Sequence, residues 1–508
     1  MSVSRRLPHA ETRRRAHFGL LASVAILAFL YPAAGARGAD DERNGFPVLA
    51  PQASPKASKA WRTLSKPTTV EFVDLPLRNC LRFVQEYHNF DLHREDDAIA
   101  AAGIQLDRPV TLHLQGTSLN SVLRLLLEPA DLDFFVDDTG MVITTRERAA
   151  AHLSEFYYPL GDVAQAGIPL ADLAEAIIQT VDPAGWQKNG GKGSLRVDNR
   201  TLYVRQRAKV QEHLEELLRE LFDALRDPRI KADDARLVTD EYRIGFLQSV
   251  GIADGEILKC LNERLLGGNS PNAGEKETAA IKGNRLILTQ PAWMHSAVEE
   301  FFERFQAIRD GATLGRADFP GRLDVAASLL SFEAKRRIAL KRLAQPVTAQ
   351  FLDMPLEDEL LFLKEASHTQ IFVTEEVRGA PGVRDAPVTT KIDKEALSSA
   401  LDKVLQPLKL DWYLFDADLI VITSHAAAAG RMEPRVYRTR ELLAAGQTEK
   451  GLVAQISAIE PDSWSVLGGP GQMRSLPGVL IVTQNRRIHE QIGRLLASLE
   501  RGRDKPAK

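Results

Sequence analysis

The sequence predicts an α+β chain of small modules, two of a longer βαββαββ kind and three of a shorter βαββα kind. Three observations predict it. At 508 residues the chain is too long for one ordinary core. "FVDLPLRNCLRFV", beginning at Phe72, returns as "FLDMPLEDELLFL" at Phe351, with the apolar letters kept and the charges changed. A shorter unit occurs three times, opened by a tyrosine-bearing strand and closed by a helix after "LYVRQ", "LILTQ" or "LIVTQ".

The first residues read as a targeting segment. Arg5, Arg6 and Arg13 to Arg15 precede the apolar "FGLLASVAILAFLY", and "AGA" at Ala34 to Ala36 offers small residues at a cleavage site. Residues 1–36 are therefore expected to be a secretory signal peptide, with an uncleaved anchor as the alternative. They carry five arginines against one glutamate, so removal takes the formal charge from −3 to −7. Residues 37–59, polar and rich in Pro and Ala, are expected to be a flexible leader.

The first long module is placed at 60–150. "TVEFVDL" alternates as a half-buried strand. Pro76 suits a first helical turn, and Leu77, Leu81 and Val84 fall on one face of the following helix. "FDLH" and "VTLHLQ" (110–115) are strands. Thr117 or Ser118 can cap a helix striped by Leu119, Val122, Leu123 and Leu126, and Pro129 stops it. "LDFFVDDTGMVITT" is a hairpin turning at Asp138-Thr139-Gly140. The second long module, at 325–426, repeats each step. Leu356, Leu360 and Leu363 replace the first helix face, "PVTTKI" (387–392) answers "PVTLHL", and "LDWYLFDADLIVIT" (410–423) answers the hairpin. Solvent positions change: Arg78-Asn79 becomes Glu357-Asp358, and Arg82 becomes Leu361. A shared fold needs the buried letters, whereas a shared active site needs polar ones.

The short modules are placed at 154–225, 238–308 and 434–500, with a Gly- and charge-rich linker at 309–324. Each runs strand, apolar helix, two strands, helix. Asn199-Arg200, Gly283-Asn284 and Pro477-Gly478 are the turns between the paired strands. "DPAGWQKNGG" (182–191) matches "EPDSWSVLGG" (460–469). Trp186 and Trp464 are expected to plug the core beside a glycine turn, the alternative being ligand-stacking aromatics.

The long module resembles the secretin and TonB N-terminus short domain, through Phe72, Asp74, Pro76 and Leu77, Pro109-Val110-Thr111 and Ile143-Thr144. Phe351, Asp353, Pro355 and Leu356, Pro387-Val388-Thr389 and Ile422-Thr423 carry the motif again. The short module is similar to the KH-like, ring-building secretin N-domain. Together they cover about residues 60–500. In a secretin a Gly-rich barrel follows these modules, and in a TonB-dependent receptor a plug and barrel follow. This sequence stops at Lys508, just after a helix, so no pore function is carried over. The resemblance implies a non-enzymatic protein of the periplasm or cell envelope. It would bind envelope proteins as an accessory to a secretin-type secretion or TonB-type uptake system, with self-association as a further expectation.

No motif for chemistry stands against this. G-x-S-x-G, H-E-x-x-H, the phosphate loop and C-x-x-C are all missing, so no catalytic, cofactor or metal residue is assigned. His88, His93 and His113 do not recur in the second copy, where Ser367, Phe372 and Lys391 stand. They are expected to be ordinary surface or satisfied histidines. Cys80 and Cys260 sit at apolar helix positions and are expected to be two separate core thiols. A sequence pI near 6.5 gives no field for nucleic acid, and the membrane is met only through the signal segment. The alternative function is a ligand-binding protein or enzyme with a site between modules.

Overall fold

The computed structural model describes residues 54–64, 66–225, 235–266, 277–311, 332–383, 386–415 and 419–503. The signal segment, most of the leader and most of the linker lie outside the described residues. All the elements below belong to the compact unit Phe46–Lys508.

The described residues are α+β, in seven small sheets of two or three strands. Helix α1 (Pro55–Leu64) begins inside the segment read as a flexible leader. That expectation fails for residues 55–59. Ala57, Ala60 and Leu64 form a buried stripe, which small alanines had hidden among polar letters. The first long module continues with β1 (Pro67–Pro76), α2 (Leu77–His88), β2 (Leu92–Arg94) and α3 (Asp96–Ala101). It then runs β3 (Pro109–Ser118), α4 (Leu119–Leu127), β4 (Leu132–Asp137), β5 (Gly140–Thr145) and α5 (Arg146–Ala151). The strands divide into two sheets. β1 pairs antiparallel with β3, while β5 lies between parallel β2 and antiparallel β4. Pro76 is the residue before the helix rather than its first turn, so β1 passes into α2 without a loop. Ser118 caps α4 by accepting from the Ser121 N–H at 3.2 Å. All seven core positions anticipated on α2 and α4 are buried.

The first short module has β6 (Ser154–Pro159), α6 (Gly161–Gln165), α7 (Leu170–Thr180), β7 (Ser194–Asp198), β8 (Thr201–Gln206) and α8 (Ala208–Leu225). The second has β9 (Leu237–Arg243), α9 (Gly245–Gln248), α10 (Asp254–Leu261), β10 (Thr278–Lys282), β11 (Arg285–Pro291) and α11 (Ala292–Gly311). The second long module follows α12 (Phe332–Ala344) with β12 (Pro346–Pro355), α13 (Leu356–Ser367), β13 (Gln370–Val373) and α14 (Glu375–Arg378). It ends with β14 (Pro387–Ala396), α15 (Leu397–Leu405), β15 (Leu410–Phe415), β16 (Leu419–Ser424) and α16 (His425–Ala429). The third short module has β17 (Glu433–Arg438), α17 (Arg440–Ala444), α18 (Glu449–Ser457), β18 (Gln472–Leu476), β19 (Val479–Gln484) and α19 (Arg486–Arg503).

The two long modules share one pattern of pairing: β12 with β14, and β13-β16-β15 in order. Each short module is a three-stranded antiparallel sheet with the last strand in the middle. Each also inserts a helix of four or five residues after its first strand, an element too short to show a period.

The modules do not stand apart. Phe415, Leu419 and Val421 of the second long module lie in one apolar cluster with the core of the first. Leu476, Val479 and Ile481 of the third short module lie in one cluster with the core of the first. The first long and short modules are thus seated on the second long and third short modules.

Candidate functional site

The residues singled out by sequence do not converge. Trp186 and Trp464 are buried, and each indole N–H donates to the carbonyl that ends the preceding helix segment, Val181 at 2.7 Å and Ile459 at 2.8 Å. They plug their cores, as the matched motif predicts. The glycine pair explains itself too. Gly190 and Gly468 take φ of 92° and 90°, and a Cβ on Gly191 or Gly469 would stand 2.3 Å from the backbone of Gly185 or Ser463. Cys80 and Cys260 are buried in different clusters, and burial pushes the Cys80 thiol up to about 11. A thiol so shifted is a poor nucleophile at neutral pH. His88 bonds Thr68 Oγ1 at 2.7 Å, and burial, with Lys66 nearby, lowers its pKa to about 4. His93 bonds the Thr139 carbonyl at 3.0 Å, and His113 is exposed. Among the described residues no group of three His, Cys, Asp or Glu side chains is placed to hold a metal.

What the structure does bring together lies between modules. At the joint of each half, a pair of matching acids faces an arginine. In the first half Arg124 of α4 reaches Asp133 of β4 at 3.4 Å and Glu212 of α8 at 2.7 Å. In the second half the matching acids are Asp411 of β15 and Glu490 of α19. There the cation is Arg486 of α19, which bonds Asp411 at 2.6 Å, Asp402 at 2.8 Å, and Glu490. Each guanidinium also lies over the same aromatic position, Phe134 at 5.3 Å and Trp412 at 4.0 Å. The acids keep their places, while the arginine has moved from the long module to the short one. Sequence reasoning missed this rivet because it looked for polar letters retained at one offset. The signal was already present in Asp133 and Asp411 of the paired hairpins. Burial opposes charge on Asp411, yet bonds from Arg486 and Arg487 hold its carboxyl below the usual carboxylate range.

A second joint repeats in every short module. Tyr158, Tyr242 and Tyr437 of the first strands bond Gln211, His295 and His489 of the closing helices at 2.7–2.8 Å. Each helix residue also reaches the backbone carbonyl at the start of its sheet: Ser154, Val238 or Glu433. Burial lowers the His489 pKa to about 3, so its ring is neutral in the fold.

Between the halves lies a cleft of about 780 Å³, walled by α8, α12, β15, β17 and α19. Arg336 of α12 forks across Glu216 at 2.7 Å and Glu220 at 2.8 Å, one turn apart on α8. Glu220 also accepts from the Val436 N–H at 2.8 Å, and burial raises its carboxyl to about 7 against the pull of Arg336 and Arg435. Trp412 and Leu414 supply apolar wall. The charges in this cleft answer one another across modules, which is an arrangement for joining elements. Chemistry at a small molecule needs convergent polar groups left available to it.

The long modules meet in the same manner. The side-chain amide of Gln370 in β13 closes on the backbone of Gln115 in β3, accepting from its N–H at 3.0 Å and donating to its carbonyl. Arg108 pairs with Glu375 at 2.5 Å, and Arg378 donates to the Thr111 carbonyl at 2.8 Å. An amide side chain thus occupies an edge strand that would otherwise be an open template.

The geometry defines a multi-module α+β protein whose polar side chains join module to module. No family model matches the sequence, and no curated protein matches it. Among solved structures the chain is similar to the GspC-GspD complex of the type II secretion system of enterotoxigenic Escherichia coli. That likeness is at 15% identity and a TM-score of 0.13, over 32% of this chain and 99% of that one. It is similar to XcpQN012 at 15% identity and a TM-score of 0.13, over 46% of this chain and 95% of that one. It is also similar to Aeromonas hydrophila ExeD at 11% identity and a TM-score of 0.11, over 66% of this chain and 59% of that one. Superpositions this slight carry nothing further to this chain.

Proposed function

We propose that this chain is an exported, non-catalytic protein of the periplasm or cell envelope. It binds envelope proteins through the faces of its modules, as an accessory to a secretin-type secretion or TonB-type uptake machine. The observation that carries the reading is module-on-module seating, in which two long modules share one apolar cluster and two short modules share another. Modules built to pack on one another are built for assembly. Buried charge supports the same reading, since Arg124, Arg336 and Arg486 all serve joints. The export half of the proposal rests on the n-region, the apolar run and the small residues ending at Ala36.

The alternative, a ligand site between modules, has the cleft at Arg336 as its place. The mutual pairing of that cleft's charges favours the assembly reading. Cell fractionation, N-terminal sequencing and crosslinking with mass spectrometry test the proposal together. The expected result is a chain in the envelope fraction that begins near Arg37, with envelope proteins crosslinked to its modules. A cytoplasmic chain beginning at Met1 overturns export, and a map with no envelope protein on residues 60–500 overturns the assembly role.

A further inference from the structure

Pairing among the modules leaves one over. The two long modules share an apolar cluster, and so do the first and third short modules. The core of the second short module takes in Ala334 and Ile338 of α12, and among the described residues it takes in nothing from another module. Its sheet runs β10-β11-β9, so β10 is an edge strand.

Other edges in this chain are guarded. Gln370 closes β3, β17 carries Pro434, and β7 holds the paired charges of Arg196 and Asp198. The sheet that contains β18 is seated on the core of the first short module. On the far side of β11, β9 holds Asp240 and Glu241, one charge on each face. β10 reads Thr-Ala-Ala-Ile-Lys from Thr278. It has no proline, no bulge in its pairing with β11, and no charge before Lys282.

The free backbone groups follow from the register. The two-residue turn at Gly283-Asn284 makes Lys282 and Arg285 a hydrogen-bonded pair. Alternation gives Ala280 and Thr278 the same role, and it turns the N–H and C=O of Ala279 and Ile281 to the open side. Among the described residues nothing else bonds those groups. The side chains of Ala279 and Ile281 are half-buried on the core of the module, as is Leu258 of α10, the helix packed under β10. They form an apolar shelf beneath the edge.

We infer that β10 accepts an extended segment of another envelope protein as a fourth strand, with apolar side chains at alternate positions resting on that shelf. Unpaired groups spaced along a strand are complementary to an extended chain and to little else. A second copy of this chain fits poorly, because two edges each about 17 Å long would bury far less than the ~1,200 Å² of a stable dimer. This deepens the assembly reading and rests on it.

A peptide titration tests the pairing. The probe is a capped, fluorescein-labelled peptide of alternating valine and threonine, titrated with the purified full-length chain and read by anisotropy. Saturable binding is expected with a Kd of about 100 μM. The same peptide methylated on its backbone amides should not bind. Ala279→Pro removes one outward N–H and leaves the ladder to β11 whole, since proline is tolerated on the open side of an edge. It should weaken binding by roughly tenfold or more, with little change in melting temperature. Ala280→Ser alters no outward amide and should bind as wild type. No saturation to about 1 mM overturns the inference, as does equal binding by the methylated peptide or by the Ala279→Pro chain. In cells, a photoactivatable amino acid at position 280 should trap an envelope protein, and Ala279→Pro should remove the adduct. A trapped second copy assigns the edge to self-pairing and overturns the partner strand. If envelope proteins crosslink to the other modules and none to position 280, the β10 contact is lost and the assembly role stands.

Discussion

Glu359 is a residue-scale fault in an otherwise apolar site. It stands on α13 where the first copy has Cys80, is fully buried, and neither carboxyl oxygen has a hydrogen-bond partner among the described residues. Burial raises its pKa from 4.5 to about 7. A carboxyl raised in the fold binds its proton more tightly there than in the unfolded chain. Its contribution to stability is therefore fullest below pH 4.5 and is lost as pH rises towards 7. A shift of this size corresponds to ~3 kcal/mol. Glu359→Leu should remove that loss and stabilise the protein by ~1–3 kcal/mol at pH 8, with little gain at pH 4.5. Urea midpoints at the two pH values measure it, and an equal effect at both would mean that burial of charge is not what the substitution relieves. The carboxyl was in plain view in the sequence, but one acid among the charges of "PLEDELLFL" gives no sign of which way it points. Only the packing of α13 shows it.

Among the elements, the joints differ in how deeply their acids lie. Arg486 bonds Asp411, whose side chain is 4% exposed, whereas Arg124 bonds Asp133 and Glu212, at 23% and 37%. Removing a cation takes a charged partner from its acids, Arg487 remaining at Asp411, and the cost follows their burial. Arg486→Ala is expected to destabilise by ~3–5 kcal/mol and Arg124→Ala by ~1–3 kcal/mol, read by denaturant unfolding. The reverse ranking would show that these arginines act through packing on Trp412 and Phe134 instead. At this scale the sequence was most legible where period and turn chemistry agree. The apolar faces of α2, α4 and α13, the hairpins at Asn199 and Pro477 and the plugging tryptophans all stand where the pattern puts them. Less was legible where an element is short or its stripe small, as with α1, α3 and the helices after each first strand. The split of each long module into two sheets was hidden as well, because alternation marks a strand and not its partner.

On the scale of the whole molecule, the duplication makes one body of two halves. The first half contributes α7 and α8 to a surface covered by the sheet of the third short module, with Thr483 donating to the Thr180 carbonyl at 2.7 Å. A fragment of residues 54–225 therefore keeps its own cores and uncovers the apolar surface that Leu476, Val479 and Ile481 occupy. That fragment is expected to bind a hydrophobic dye and to associate with itself, and a separately made fragment of 332–503 should abolish both. Dye fluorescence on mixing measures it. A clear, non-binding first fragment would show that the two halves gain little from each other. Single-sequence reasoning reached the repeat but not this seating, since residues 303 positions apart leave no periodic trace of their contact.

The seating also sets a clock. The first half leaves the ribosome well before the residues that close its β3 edge and cover α7, because those contacts lie 253 to 303 positions downstream. At ordinary rates of synthesis that interval is on the order of tens of seconds. Throughout it the sheet edge at Gln115 has no Gln370 to close it, and helix α7 has no sheet upon it. Such a nascent chain is a natural client for a holding chaperone. Its window of vulnerability is fixed by the spacing of the duplication rather than by the stability of any one module.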